Sequence, residues 1–140
     1  MTEIAGIVIP SDSPLFLGIL AVHVPLGLAC VITGLVAMFS RKGRGRHADY
    51  GSIYFWCLLA AVATATALAA MRWSEDYPLF VLGALSLGCA WAGRRAAQRG
   101  GRAWVTLHIL GMGSSYTLML IAFYVDNGPQ LPGWRSLPPA

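Results

Sequence analysis

The sequence predicts an all-α integral membrane protein, a four-transmembrane-helix bundle forming one domain over residues 1–140 with both termini outside, on the periplasmic face. Three observations carry this prediction. Hydrophobic residues make up 56% of the chain against 11% charged, and the mean hydropathy is +0.61, which would leave a water-facing surface covered in apolar patches. The apolar residues gather into four runs, each near the roughly 20 residues that a bilayer crossing needs. Eight of the ten Lys and Arg residues fall into only two of the connecting segments.

The first span covers residues 14–39, with Ser13 placed to cap it and Pro14 at the first helical position, where a missing N–H costs nothing. Glu3 and Asp12 stand where a cleavable leader would carry basic residues, so a span is expected rather than a signal peptide. Residues 51–71 form the second span. Its small-residue stretch AAVATATALAA suits close helix contact and a central position. The third span, 75–93, begins at Ser74 as cap with Glu75 and Asp76 in the first turn. The fourth runs over 103–125, and the Pro- and Gly-rich segment 126–140 predicts an extended tail over the bundle end.

Charge sets the orientation. Arg41, Lys42, Arg44 and Arg46 lie between spans one and two, and Arg94, Arg95, Arg99 and Arg102 between spans three and four. Positive loops stay in the cytoplasm, which sets the basic side inside; the expected location is a bacterial inner (cytoplasmic) membrane, crossed several times. Tyr50, Tyr54, Trp56, Trp91 and Trp104 then fall near the inner interface, and Trp73, Tyr77 and Tyr124 near the outer one. Arg41, Lys42, Arg44, Arg46, His47, Arg94 and Arg95 are the residues placed to meet lipid headgroups. Nucleic-acid binding is excluded as a reading of the pI near 9.3, because the basic residues sit in short loops between apolar runs rather than on a solvated face. Cys30, Cys57 and Cys89 are far apart and each within an apolar run, so they form neither a disulfide framework nor a CxxC motif.

Chemistry inside a membrane rests on the few polar groups in the spans. At 1.5 Å per residue His23 and His108 are about 16 Å apart along the membrane normal, too far for one ion with ligands at about 2 Å, so no three-histidine metal site is expected. Two polar levels result. The deeper joins His23 to Thr64, Thr66, Ser115, Tyr116 and Met119; the inner joins His108 to Thr33, Cys57, Cys89 and Tyr54, with His47 and Asp49 in the loop just below. In the last span His108, Met112, Ser115, Met119 and Ala122 recur at spacings of four, three, four and three, one semi-polar stripe facing the bundle interior. Such a stripe lines either a cofactor cavity or a helix contact, and Gly27, Gly34, Gly111 and Gly113 thin the helices for either purpose. Pro25 frees a carbonyl one turn back and kinks the helix beside His23.

No GxSxG, HExxH, phosphate-cradling loop or intramembrane acid pair is present. RHADYG after the first span, HILGMGSSYTLMLIAFYV in the last and a tail ending LPGWRSLP resemble an uncharacterised family of bacterial four-helix predicted membrane proteins. These carry a His-Arg-x-x-Gly element after the first span and a His-x-x-x-Met-x-x-Ser-Tyr element in the last. The resemblance covers about Leu17 to Pro138; His23, His47, Gly51, His108, Met112, Ser115 and Tyr116 match, while Ala48 and Ser52 stand where the family pattern has arginines. It implies fold and topology and no settled activity.

The expected function is a small membrane protein that binds a redox cofactor, haem b or a quinone, through His23, His108, Met112, Ser115, Tyr116 and Met119, within a respiratory or photosynthetic assembly. Any haem would be non-covalent, since no CxxCH is present. The alternative is an accessory subunit without chemistry, packed against a larger membrane complex or against its own copies.

Overall fold

The computed structural model describes residues 2–4, 7–9 and 13–128. Four helices follow one another, α1 (Pro14–Phe39), α2 (Arg46–Met71), α3 (Trp73–Arg99) and α4 (Trp104–Asn127). Ahead of them two three-residue strands, β1 (Thr2–Ile4) and β2 (Ile7–Ile9), pair antiparallel with Glu3 opposite Val8. This short strand pair lies ahead of the all-α body of four helices that the sequence predicts; β-branched Thr2, Ile4, Ile7, Val8 and Ile9 favour extended backbone over a stretch too short to register as a span. The tail expected over 129–140 lies outside the described residues.

Three of the helices, α1, α2 and α4, are long and apolar enough to cross a membrane. In α3 charges at both ends, Glu75 and Asp76 against Arg94, Arg95 and Arg99, leave only residues 77–93 uncharged. Helices outrun the apolar runs because hydropathy marks where charge stops, whereas a helix ends where its backbone turns. Thus α2 starts at Arg46, five residues before the expected span, and takes in His47 and Asp49, which were expected in a loop. It begins after Gly45, whose φ of 109° suits glycine, and α3 closes at Gly100 with φ 68°. Between α2 and α3 stands only Arg72: its N–H donates to Ala69 O at 3.1 Å, and its carbonyl accepts from Glu75 and Asp76 at 3.0 Å each. Ser74, expected as the cap, is therefore already inside the helix. Arg72 also pairs with Glu75, and with Asp76 at 3.5 Å. Pro25 lies within α1, which continues on either side of it.

Each helix runs antiparallel to the next, as cross-helix pairs show: His23 with Thr64 and His47 with Ala37 for α1 and α2, Arg94 with Ser52 for α2 and α3, Ser86 with Ser115 for α3 and α4. The α1–α2 and α3–α4 connections consequently lie at one end, the basic end. The α2–α3 junction and the described ends of α1 and α4 lie at the other, the acidic end.

Two glycine contacts set the helix spacing. A Cβ on Gly111 would stand 2.7 Å from Gly93 Cα and N and 2.8 Å from Cys89 O, so α3 and α4 meet backbone to backbone. A Cβ on Gly34 would stand 2.4 Å from the Tyr116 ring, so α1 receives that ring as a flat face. The Tyr116 hydroxyl donates to Val31 O at 3.1 Å and ties α4 back to α1. The core holds Cys30, Tyr54, Phe55, Leu58, Ala61, Ala90 and Tyr116, with Met112 and Met119 packed against it. Outside it, large apolar side chains such as Leu15, Leu28, Ile32, Leu107, Ile109 and Phe123 are exposed. Outer faces this apolar suit contact with lipid where helices cross a membrane.

Candidate functional site

The stripe on α4 points where its spacing predicts. Ser115 is buried and His108, Met112, Met119 and Ala122 are partly buried, while Ile109, Leu110, Ser114, Thr117 and Leu120 between them are exposed. Its members nevertheless go to different partners. Ser115, fully buried, shares a 2.8 Å hydrogen bond with the Tyr54 hydroxyl, and its carbonyl accepts from Ser86 Oγ at 2.8 Å. Tyr54, 2% exposed, is thus a core residue and not the interfacial aromatic expected of it. Losing its hydroxyl in Tyr54→Phe leaves Ser115 Oγ only the longer 3.3 Å contact with Ser86 Oγ in an apolar core and is expected to cost about 1 kcal/mol of stability, read by denaturant titration in detergent.

All three histidines are held in the same way. His23 Nδ1 lies 3.1 Å from Ala61 O and 2.8 Å from Thr64 Oγ1, His47 Nδ1 lies 2.8 Å from Ala37 O, and His108 Nδ1 lies 3.0 Å from Gly93 O. A carbonyl oxygen only accepts, so Nδ1 carries the proton in each ring and Nε2 of the neutral imidazole keeps its lone pair. Thr64 spends its own proton on Ala60 O and Ala61 O, which leaves its oxygen to accept from His23. The bond ties α1 to α2, and Thr64 is one of the five residues that the sequence places at the depth of His23.

His47 and His108 come together at the basic end, ring centres 5.9 Å apart and planes at 78°. Imidazole ligands hold a metal at about 2.0–2.1 Å, which puts the ion about 3.2 Å from each ring centre and limits two ligating rings to about 6.4 Å apart. The observed separation falls inside that limit. Anchoring the far ring nitrogen on a backbone carbonyl is also how ligating histidines are oriented in metal sites. His23 is seventeen residues along α2 from this pair, judged by its partner Thr64, or about 25 Å at helical rise. Of the residues expected to share a cofactor, then, only His108 belongs to the pair; Met112, Ser115, Tyr116 and Met119 belong to the core. Among the described residues no three His, Cys, Asp or Glu side chains converge as a metal cluster, and only two imidazoles meet here. The backbone contact of Gly93 with Gly111 also leaves no slot between α3 and α4 for a flat ring system at that level.

The pairing had a signal in the sequence. His47, Gly51, Tyr54, Leu58 and Ala61 repeat the four, three, four, three spacing seen on α4, and all are buried or partly buried. Extending the periodicity of α2 backwards, instead of stopping at the first charge, puts His47 on the inward face.

The basic residues divide by what they do. Arg94 donates to Ser52 Oγ at 3.1 Å and lies 5.0 Å over the Phe55 ring, and Arg95 lies 5.4 Å over Trp91. Lys42 turns back to donate to Met38 O and, at 3.5 Å, to Ala37 O, closing the end of α1. Arg41, Arg44 and Arg46 line a cleft of about 430 Å³ with Phe39 and Ser40. No protein-family model, curated protein or solved structure matches this chain.

Proposed function

We propose that the chain is a four-span protein of a bacterial inner membrane, its basic end in the cytoplasm, and that His47 and His108 hold a redox cofactor there. The exposed apolar faces and the gathering of eight basic residues at one end support the membrane placement. One observation carries the cofactor: two rings 5.9 Å apart, each with Nδ1 fixed on a carbonyl and a lone pair left on Nε2. Haem b is the better match of the two cofactors. Its iron accepts lone pairs, whereas an oxidised quinone presents only acceptor oxygens to nitrogens that are themselves acceptors.

The test is an oxidised and reduced absorption spectrum of the protein extracted in mild detergent, with helicity measured by circular dichroism. A Soret band is expected in the wild type and in His23→Ala, and is expected to disappear in His47→Ala and in His108→Ala while the helices persist. A colourless wild type, or a band that depends on His23, would sink the proposal.

A second reading, an accessory subunit without chemistry, is favoured by the closed α3–α4 seam and by the absence of a third ligand among the described residues. A colourless protein that co-purifies with stoichiometric larger subunits would establish it.

A further inference from the structure

The cleft beside the α1–α2 connection is lined mainly by basic side chains. Arg41, Arg44 and Arg46 form its walls, and among the described residues none of the three has a carboxylate partner. Lys42, from the same segment, is excluded from it because its ammonium is spent on the carbonyls at the end of α1. Arg46 is also the first residue of α2, so the start of that helix adjoins the cleft. The first turn of α2 leaves its amides without intrahelical acceptors, Gly45 at its head brings no capping side chain, and the earliest bond of the turn runs from Asp49 N to Gly45 O. The carboxylate of Asp49, exposed on that turn, is the one acidic group nearby in sequence and bonds none of the arginines. The remaining wall is Phe39, the last residue of α1, 82% exposed and the most open of the large apolar side chains.

Guanidinium groups prefer phosphate, which they grip with paired N–H donors. A free phosphate has no use for an aromatic ring in water, whereas a phospholipid joins a phosphate to an apolar body, and the lining pairs three arginines with one exposed phenylalanine. We infer that this cleft is a binding site for the phosphate of one anionic phospholipid, with Arg41, Arg44 and Arg46 on the headgroup and Phe39 against the glycerol and upper acyl chain. The inference rests on the membrane reading above and is independent of the histidine pair.

The experiment is native mass spectrometry of the full-length protein in detergent micelles, titrated with phosphatidylglycerol, with phosphatidylcholine of the same acyl chains, and with inorganic phosphate. One phosphatidylglycerol is expected to bind in preference to phosphatidylcholine. Its affinity is expected to fall about fivefold for each single Arg→Gln change and on the order of a hundredfold in R41Q/R44Q/R46Q, each basic residue near a lipid surface being worth about that much. Phe39→Ala is expected to weaken phosphatidylglycerol and leave phosphate unchanged. Equal phosphatidylglycerol binding by wild type and triple variant overturns the inference. So does equal affinity for phosphate and phosphatidylglycerol with no effect of Phe39, which would make the cleft a site for the free ion. If the protein extracts from membranes and binding is unmoved, this inference alone fails; recovery from the soluble fraction removes the membrane reading and this inference together.

Discussion

Gly111→Ala is expected to destabilise the bundle by about 3 kcal/mol, the upper part of the range for overpacking a tight core. The new methyl would lie 2.7 Å from Gly93 Cα and N and 2.8 Å from Cys89 O, all backbone atoms that move only if α3 and α4 separate. Side-chain clashes can often relax by a rotamer change; this one cannot. Denaturant titration of the detergent-solubilised protein gives the stability, with Gly113→Ala as the control. Two residues along the same helix, a Cβ on Gly113 meets nothing within 4 Å, and that substitution is expected to be neutral or to gain up to about 1 kcal/mol from helix propensity. Equal effects at the two positions would show that the α3–α4 seam is not where the structure puts it. Because His108 takes its orientation from Gly93 O on the same seam, Gly111→Ala is also expected to weaken any Soret band.

Gly34→Ala is expected to cost about 2 kcal/mol. Here the obstacle is an aromatic ring, with Tyr116 Cε2 at 2.4 Å and Cδ2 at 2.7 Å from the new Cβ, and Tyr54 Cδ2 behind it at 3.3 Å. The ring has no easy retreat, since its hydroxyl is fixed on Val31 O at 3.1 Å. Tyr116→Leu alone loses that bond and part of the packing, yet added to Gly34→Ala it removes the obstruction. The double variant is therefore expected to be more stable than the sum of the two single losses predicts, by about 1 kcal/mol or more. Simple additivity would mean that the two side chains do not meet.

Comparing these two glycines shows what the sequence could and could not disclose. Both were visible as positions that thin a helix, alongside Gly27 and Gly113, and nothing in the pattern separated them. Only the three-dimensional placement assigns Gly34 to a ring and Gly111 to a backbone, and leaves Gly27 and Gly113 open. The four helices and the inward stripe of α4 were legible because they rest on composition and period, which are local. Depth put Thr64 among the five residues level with His23 but did not single it out. The His47–His108 pair was missed because a run of arginines was read as the end of helical structure, although His47, Gly51 and Tyr54 already kept the helical period. Tyr54 was misplaced for a related reason: an aromatic near a charged segment reads as interfacial until the buried serine opposite it is known.

The single residue between α2 and α3 has a mechanical consequence. Arg72 leaves those two helices no slack at the acidic end, and its ion pairs with Glu75 and Asp76 brace the corner. The other two connections are longer and glycine-containing, and both lie at the opposite end. If the α1–α2 arm turns relative to the α3–α4 arm, the corner is the pivot and the displacement grows with distance from it, over lever arms of about 40 Å set by helices of this length. His47 stands at the tip of one arm and His108 at the tip of the other. A tilt of a few degrees, negligible at Arg72, changes the gap between the two imidazoles by ångströms, so whatever spreads the arms acts directly on the spacing of the pair.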